Sequence, residues 1–210
     1  MNTILKLSFL LGIATLVACG GNDKKEEDNI DIEKNPMAAL MKMGENMQKQ
    51  AKKMEKQTAE RKDAKAIHYE ELMKFLPQSV KGYEKEEPKG ESVEMSGMSF
   101  SSANVRFTKG NDDINVTLLD YNAAMSMYSM ATAMWASGFK IDNSEETAQS
   151  VSFANNINGW ETLQKKSKDA SLIVGVNDRF LLTIEGDNQK NLDFFKEIAK
   201  GMDLKKLTEL

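Results

Sequence analysis

The period of the apolar positions changes twice along the chain. Residues 7 to 18 form one nearly continuous apolar run, residues 36 to 62 repeat every three or four positions, and from Lys81 apolar and polar residues alternate. The middle stretch predicts an amphipathic helix over 36–62, with Leu40, Met43, Met47, Ala51, Met54 and Thr58 on one narrow stripe. Gln50 and Gln57 fall where a heptad core needs apolar residues, so the stripe is too weak for a stable coiled coil. It reads as a helix that docks loosely, or as an arm that waits for a partner. A short helix over 69–76 follows, stopped by Pro77.

The alternating region predicts half-buried antiparallel strands. Val93 and Met95 mark the first, then Ala103, Val105 and Phe107, then Ile114, Val116 and Leu118, the last two joined by a turn at Lys109-Gly110-Asn111-Asp112. A helix is predicted over 122–137, bearing Ala124, Met127, Tyr128, Ala131, Met134 and Trp135 and stopped by Gly138. Further strands are predicted at 150–154, 160–166, 170–176 and 179–185, with turns at Asn158-Gly159 and Asn177-Asp178. Asp187 or Asn188 would cap a last helix carrying Leu192, Phe195, Ile198, Ala199 and Met202, closed by Gly201.

The order is helix, four strands, helix, four strands, helix. It predicts an α+β fold: an antiparallel sheet of about eight strands with helices on one face, preceded by the Met-rich arm. The Asn-Asp pairs at 111–112 and 177–178 echo each other, as an old duplication would. The topology is similar to TATA-binding-protein-like, helix-grip and PsbP-like folds, a likeness that carries no function.

Composition narrows the chemistry. With a single His (His68) and a single Cys (Cys19), one chain assembles neither a zinc cluster nor a Cys–His nucleophile pair nor an internal disulfide. A net charge of -4 argues against a nucleic-acid footprint. There is no phosphate-binding Gly loop, and the serines at 96, 99, 101 and 102 lack a nucleophile-elbow motif. The carboxylate pairs Asp112-Asp113, Glu86-Glu87 and Glu145-Glu146 read as solvated loop or strand-end charge, and His68 as a surface or capping residue. Methionine is the excess, at 14 residues, and Met41-x-Met43, Met125-x-Met127 and Met127-x-x-Met130 have Cu(I)-thioether spacing. Period-matched Met is more often packing, so no cofactor and no metal are expected, and nothing in the motifs indicates an enzyme.

The N-terminal run, with Lys6 before it, is too short to span a bilayer and has the form of a secretory signal over 1–18. It ends in Leu16-Val17-Ala18-Cys19 followed by Gly20-Gly21. This resembles the lipobox of bacterial lipoproteins. The resemblance implies that Cys19 receives a diacylglyceryl group and becomes the acylated first residue of the mature chain. Two or three acyl chains anchor stably where one does not. The mature chain would then sit on the cell envelope, at the outer membrane, on its periplasmic or surface side. Lys25-Glu26-Glu27-Asp28 is similar to the Lys-acidic-acidic signal that exports lipoproteins to the surface in some Bacteroidota; solvated linker charge explains it equally well. Residues 19–35 read as a disordered acidic tether reaching at most about 60 Å, and 64–210 as a single folded domain.

Two functional classes stay open. One is an interaction or assembly module that uses Leu40, Met43, Met47 and Met54 to meet a protein partner or a second copy. The other is an apolar-ligand binder with a pocket between the sheet and helix 122–137 containing Met125, Met130 or Trp160. A large cavity behind the sheet would favour the second class; a filled core with a separate arm would favour the first.

Overall fold

The structure is a computed structural model that describes Met37, Met41, residues 44–45, 48–49, 51–52, 55–56, 59–61, 64–95, 98–122, 128–129, Thr132, Trp135, 140–154 and 157–210. The chain divides into two units, 1–39 and 40–210. Of the first, only Met37 is described; it is helical and exposed. In the second, every described residue from Met41 to Glu60 is helical and exposed, Ala51 of the expected stripe included.

The rest of the second unit is one antiparallel sheet of nine strands with short helices. The strands are β1 (Glu84–Lys85), β2 (Lys89–Met95), β3 (Met98–Lys109), β4 (Asp112–Asp120), β5 (Lys140–Asp142), β6 (Glu146–Ala154), β7 (Ile157–Gln164), β8 (Ala170–Val176) and β9 (Phe180–Gly186). Their order across the sheet is β1-β3-β4-β9-β8-β7-β6-β5, with β2 also paired to β3. The edge strand breaks between β1 and β2 at Glu87-Pro88, where proline has no N–H for a ladder. The chain therefore runs one meander, β1 to β4, crosses to the far edge, and returns through β5 to β9 until β9 pairs with β4.

Alternation sorts the side chains onto two faces. Val105 and Phe107, Ile114 to Leu118, Leu172 to Val176, and Phe180 to Ile184 at every second position are buried in one core. Three helices cover that face: α1 (Tyr69–Met73), α2 (Asp193–Gly201) and α3 (Leu204–Leu207), which contribute Leu72, Phe195, Ile198, Leu204 and Leu207. Burying each such side chain stabilises the fold by about 1.5–3 kcal/mol.

Several sequence expectations are corrected. The sheet has nine strands because β1, the start of β2 and β5 are short or highly exposed and carry little apolar alternation. No duplication is evident: the first meander and the second differ in strand number, and the echoing turns differ too. Asn177 and Asp178 both adopt positive φ (53° and 51°), whereas at the earlier turn the residue with positive φ is Gly110 (63°). Asn158-Gly159 is not a turn but lies inside β7, where a Cβ on Gly159 would strike the Ile173 carbonyl. The last helix is two, because Met202 turns extended and separates α2 from α3; Gly201 stays in α2, and the Asn191 side chain caps it by accepting from Asp193 N–H at 3.0 Å.

Helical segments also do not keep to one face. Tyr128 and Trp135, from the crossover, stand over Gly175 on the face opposite α1–α3. A side chain at 175 would collide with the Tyr128 hydroxyl and the Trp135 indole, so the glycine makes this contact possible. Of the predicted helix 122–137, Tyr128, Ser129 and Thr132 are helical; Asn122 is a turn residue with φ 38°.

Candidate functional site

The space between sheet and helices on the main core face is filled. Leu72, Phe195 and Leu207 are fully buried there, and Phe180, Leu182 and Ile184 lie fully buried against them. The hollow with the largest role to consider is on the outside of this layer. It is an open groove of about 710 Å³ between the segment after α1 and the pair α2–α3. Pro77 ends the helical turn of 74–76 and sends Val80 back into the core, leaving Phe75 and Pro77 as one half-buried wall. Phe194 and the open backbone of Gly201 form the other.

The rim of the groove is charged in both signs. Lys74 pairs with Glu71 at 2.7 Å and Lys206 with Asp203 at 2.6 Å, each three residues apart on one helical turn. The hydrogen bond from Lys206 lowers the Asp203 pKa, and the same bond raises that of Lys206. An apolar floor inside a balanced ionic rim can hold an apolar side chain or short apolar ligand. It presents no oriented acid, base or nucleophile.

The buried charges lie elsewhere and form two clusters. At the end of β4, Asp120 is fully buried and accepts four hydrogen bonds. Arg179 donates two of them in a fork, from Nε at 2.8 Å and Nη2 at 2.7 Å; the N–H groups of Ile67 (2.8 Å) and Asn122 (2.9 Å) donate the others. Ser99 accepts from Ala66 N–H, Ser101 donates to the Ile67 carbonyl, and Asn122 donates to the Ala64 carbonyl. Arg61 donates to the Asp178 and Asn177 carbonyls, and Arg179 Nη1 to the Leu210 carbonyl. Burial, and then the neighbouring Arg179 charge, lowers the Arg61 pKa. Together these bonds strap residues 61–67 and the last residues to the end of the sheet through side chains rather than through a strand ladder.

The second cluster is on β7. Glu161 is buried at 2 % exposure; its Oε1 accepts from Gln149 Nε2 at 2.7 Å, and its Oε2 lies 3.1 Å from Lys196 Nζ on α2. That second contact is an ion pair at hydrogen-bonding distance but out of line, so it holds Oε2 mainly through charge. Burial acts to lower the Lys196 pKa, but the charges and bonding of Glu161 and Asp193 outweigh it and leave it raised. Both clusters sit at in-phase positions of otherwise apolar strands, Asp120 after Ile114, Val116 and Leu118, and Glu161 after Ile157 and Gly159. A charge in phase with a core stripe was the sequence signal that could have revealed them; their partners on distant elements had none.

Of the expected site residues, Cys19, Leu40, Met43, Met47, Met54, Met125 and Met130 lie outside the described residues. Trp160 is buried on β7, in register with Ser150 and Ile173 on the face that Tyr128 and Trp135 approach. His68 precedes α1 as its N-cap residue, exposed, with Nδ1 3.7 Å from Glu70 and its carbonyl accepting from Glu71 N–H. Asp113 pairs with Arg106, and Asp112 accepts from Asn188 at 3.0 Å, so the first carboxylate pair is engaged structurally. Among the described residues there is no group of three His, Cys, Asp or Glu placed to hold a metal ion, and no helix long and apolar enough to cross a membrane. No family model, curated protein or solved structure matches this chain.

Proposed function

We propose that this chain is a lipoprotein of the bacterial cell envelope, anchored at Cys19, whose sheet domain and helical arm serve as a non-catalytic interaction module. The observation that supports the interaction reading is the filled layer between the sheet and α1–α3, with an open groove edged by ion pairs outside it. A carrier for a small apolar molecule needs an enclosed cavity of several hundred Å³. The pocket of that alternative reading would lie on the opposite face beside Trp160, where Met125 and Met130 are outside the described residues. The lipobox ending in Cys19 supports the anchor.

Cys19→Ser tests the anchor. The variant should remain an uncleaved precursor without lipid and should lose stable membrane association; if it partitions into detergent as the wild type does, the lipoprotein reading is wrong. Met43→Glu with Met47→Glu tests the arm. Association should weaken while the melting temperature hardly moves, and the reverse pattern would place the stripe in the core. The groove between 75–81 and α2–α3 favours a second reading, in which it takes an apolar side chain or ligand; a native mass of the extracted protein carrying a bound small molecule would support it.

A further inference from the structure

The charges of this chain are segregated along its length. Residues 19–35 carry three Lys/Arg against six Asp/Glu, a net of -3, and residues 63–210 carry 17 against 23, a net of -6. Between these two acidic blocks the arm, 36–62, carries seven against three, a net of +4. Lys49, Lys52 and Lys56 of the arm are helical and exposed, spaced so that they share one side, and Met41 is 67 % exposed.

We infer that the arm lies on the anionic lipid surface in which Cys19 is anchored. This inference rests on the lipid anchor proposed above and names the arm's partner. Three physical points favour lipid over a second copy of the chain. Segment 19–35 has 17 residues and even fully extended keeps the arm within about 60 Å of the anchor, so the membrane is its most concentrated neighbour. A helix is about 10–12 Å across and the screening length about 8–10 Å, so lysines on any side of a helix lying flat still feel the surface charge. Long lysine stems on such a helix can turn toward the headgroups while their alkyl parts stay on the helix surface. The acidic sheet domain is repelled by the same surface. The arm therefore acts as an electrostatic hinge that sets the domain away from the membrane.

The test uses the full lipidated chain, reconstituted into vesicles of phosphatidylcholine alone or of phosphatidylcholine mixed with phosphatidylglycerol. Amide hydrogen exchange is followed in 41–60, with β8 and β9 as internal reference. Co-flotation with the neutral vesicles reports the anchor alone. Exchange in the arm should slow by about tenfold or more on the anionic vesicles only, and this protection should vanish in high salt or in Lys49→Glu/Lys52→Glu/Lys56→Glu. Equal exchange on both vesicle types overturns the inference while leaving the anchor standing. So does protection that appears in detergent and grows with protein concentration, which would make a second copy the partner. Failure to float with neutral vesicles overturns the anchor, and this inference with it.

Discussion

Asp120 and Glu161 are both buried carboxylates on the helix-covered face of one sheet, each facing a cation from another part of the chain, yet their surroundings differ. Asp120 has all four of its in-plane acceptor sites filled by Arg179, Ile67 and Asn122. Glu161 has one in-line donor, Gln149, and a Lys196 ammonium that approaches out of line. The difference follows from the donors. A guanidinium is a planar fork that matches a carboxylate, whereas an ammonium on a flexible stem is a point charge. It teaches that burial of a charge in this sheet has two uses. The first is a clasp with a saturated carboxylate, beside which Asn122 Oδ1 stays buried without a partner, tying Arg61, residues 64–67 and the turn before β9 to the end of β4. The second is a looser link between β7 and α2.

The largest effect expected from breaking this comparison is at Asp120. Asp120→Ala removes four acceptor contacts and leaves Arg179, only 11 % exposed at its side chain, without its partner. Loss of one member of a buried pair costs about 3–5 kcal/mol, and denaturant unfolding should report a loss of that order. Exchange of the amides at 64–67 should rise at the same time; a loss under about 1 kcal/mol would show that the strap is held by something other than Asp120.

Glu161→Gln should cost less, about 1–3 kcal/mol, because Gln149 keeps an acceptor and Lys196, 28 % exposed, can turn to solvent. If this variant proves as damaging as Asp120→Ala, the two clusters are equivalent and the contrast in geometry has no energetic meaning.

The smallest effect sharpens the comparison by pH. The Lys196 pKa is raised in the folded protein, so the stability it confers is fully present below the ordinary lysine value of 10.5 and is lost as pH rises through the higher folded value. The Asp120 clasp contains no lysine. Alkaline titration of stability should therefore loosen the Glu161 link and spare the Asp120 clasp. Burial raises the Tyr128 and Tyr121 hydroxyls, which also removes stability above their ordinary value of 10, so the titration belongs in a Tyr121→Phe/Tyr128→Phe background. There the residual alkaline loss should flatten in Glu161→Gln; an unchanged slope would mean that Lys196 is not its source.

Much of the sheet was legible because alternation is a local signal. β3, β4, β8 and β9 fall where Val105, Val116, Val174 and Leu182 repeat at every second residue, and the Asn177-Asp178 turn forms because those two residue types tolerate positive φ. β1 and β5, two and three residues long, carry too few positions for a period to show. Asn158-Gly159 misled because an Asn-Gly pair is also what a strand uses when a neighbouring backbone, here Ile173, comes too close for a side chain.

By itself the sequence determined the β3–β4 and β8–β9 hairpins, which stripe of those strands faces the core, and the acidic-basic-acidic order of the chain, since each is written in neighbouring residues. Only the tertiary structure decided that β9 returns to pair with β4, that Tyr128 and Trp135 cross to the far face over Gly175, and that Asp120 meets Arg179 and Glu161 meets Lys196. These contacts join residues from 35 to 72 positions apart, from the Lys196–Glu161 pair to the Gly186–Ile114 pair. At such separations the partner is chosen by the global packing of apolar faces, and no local period or propensity records it.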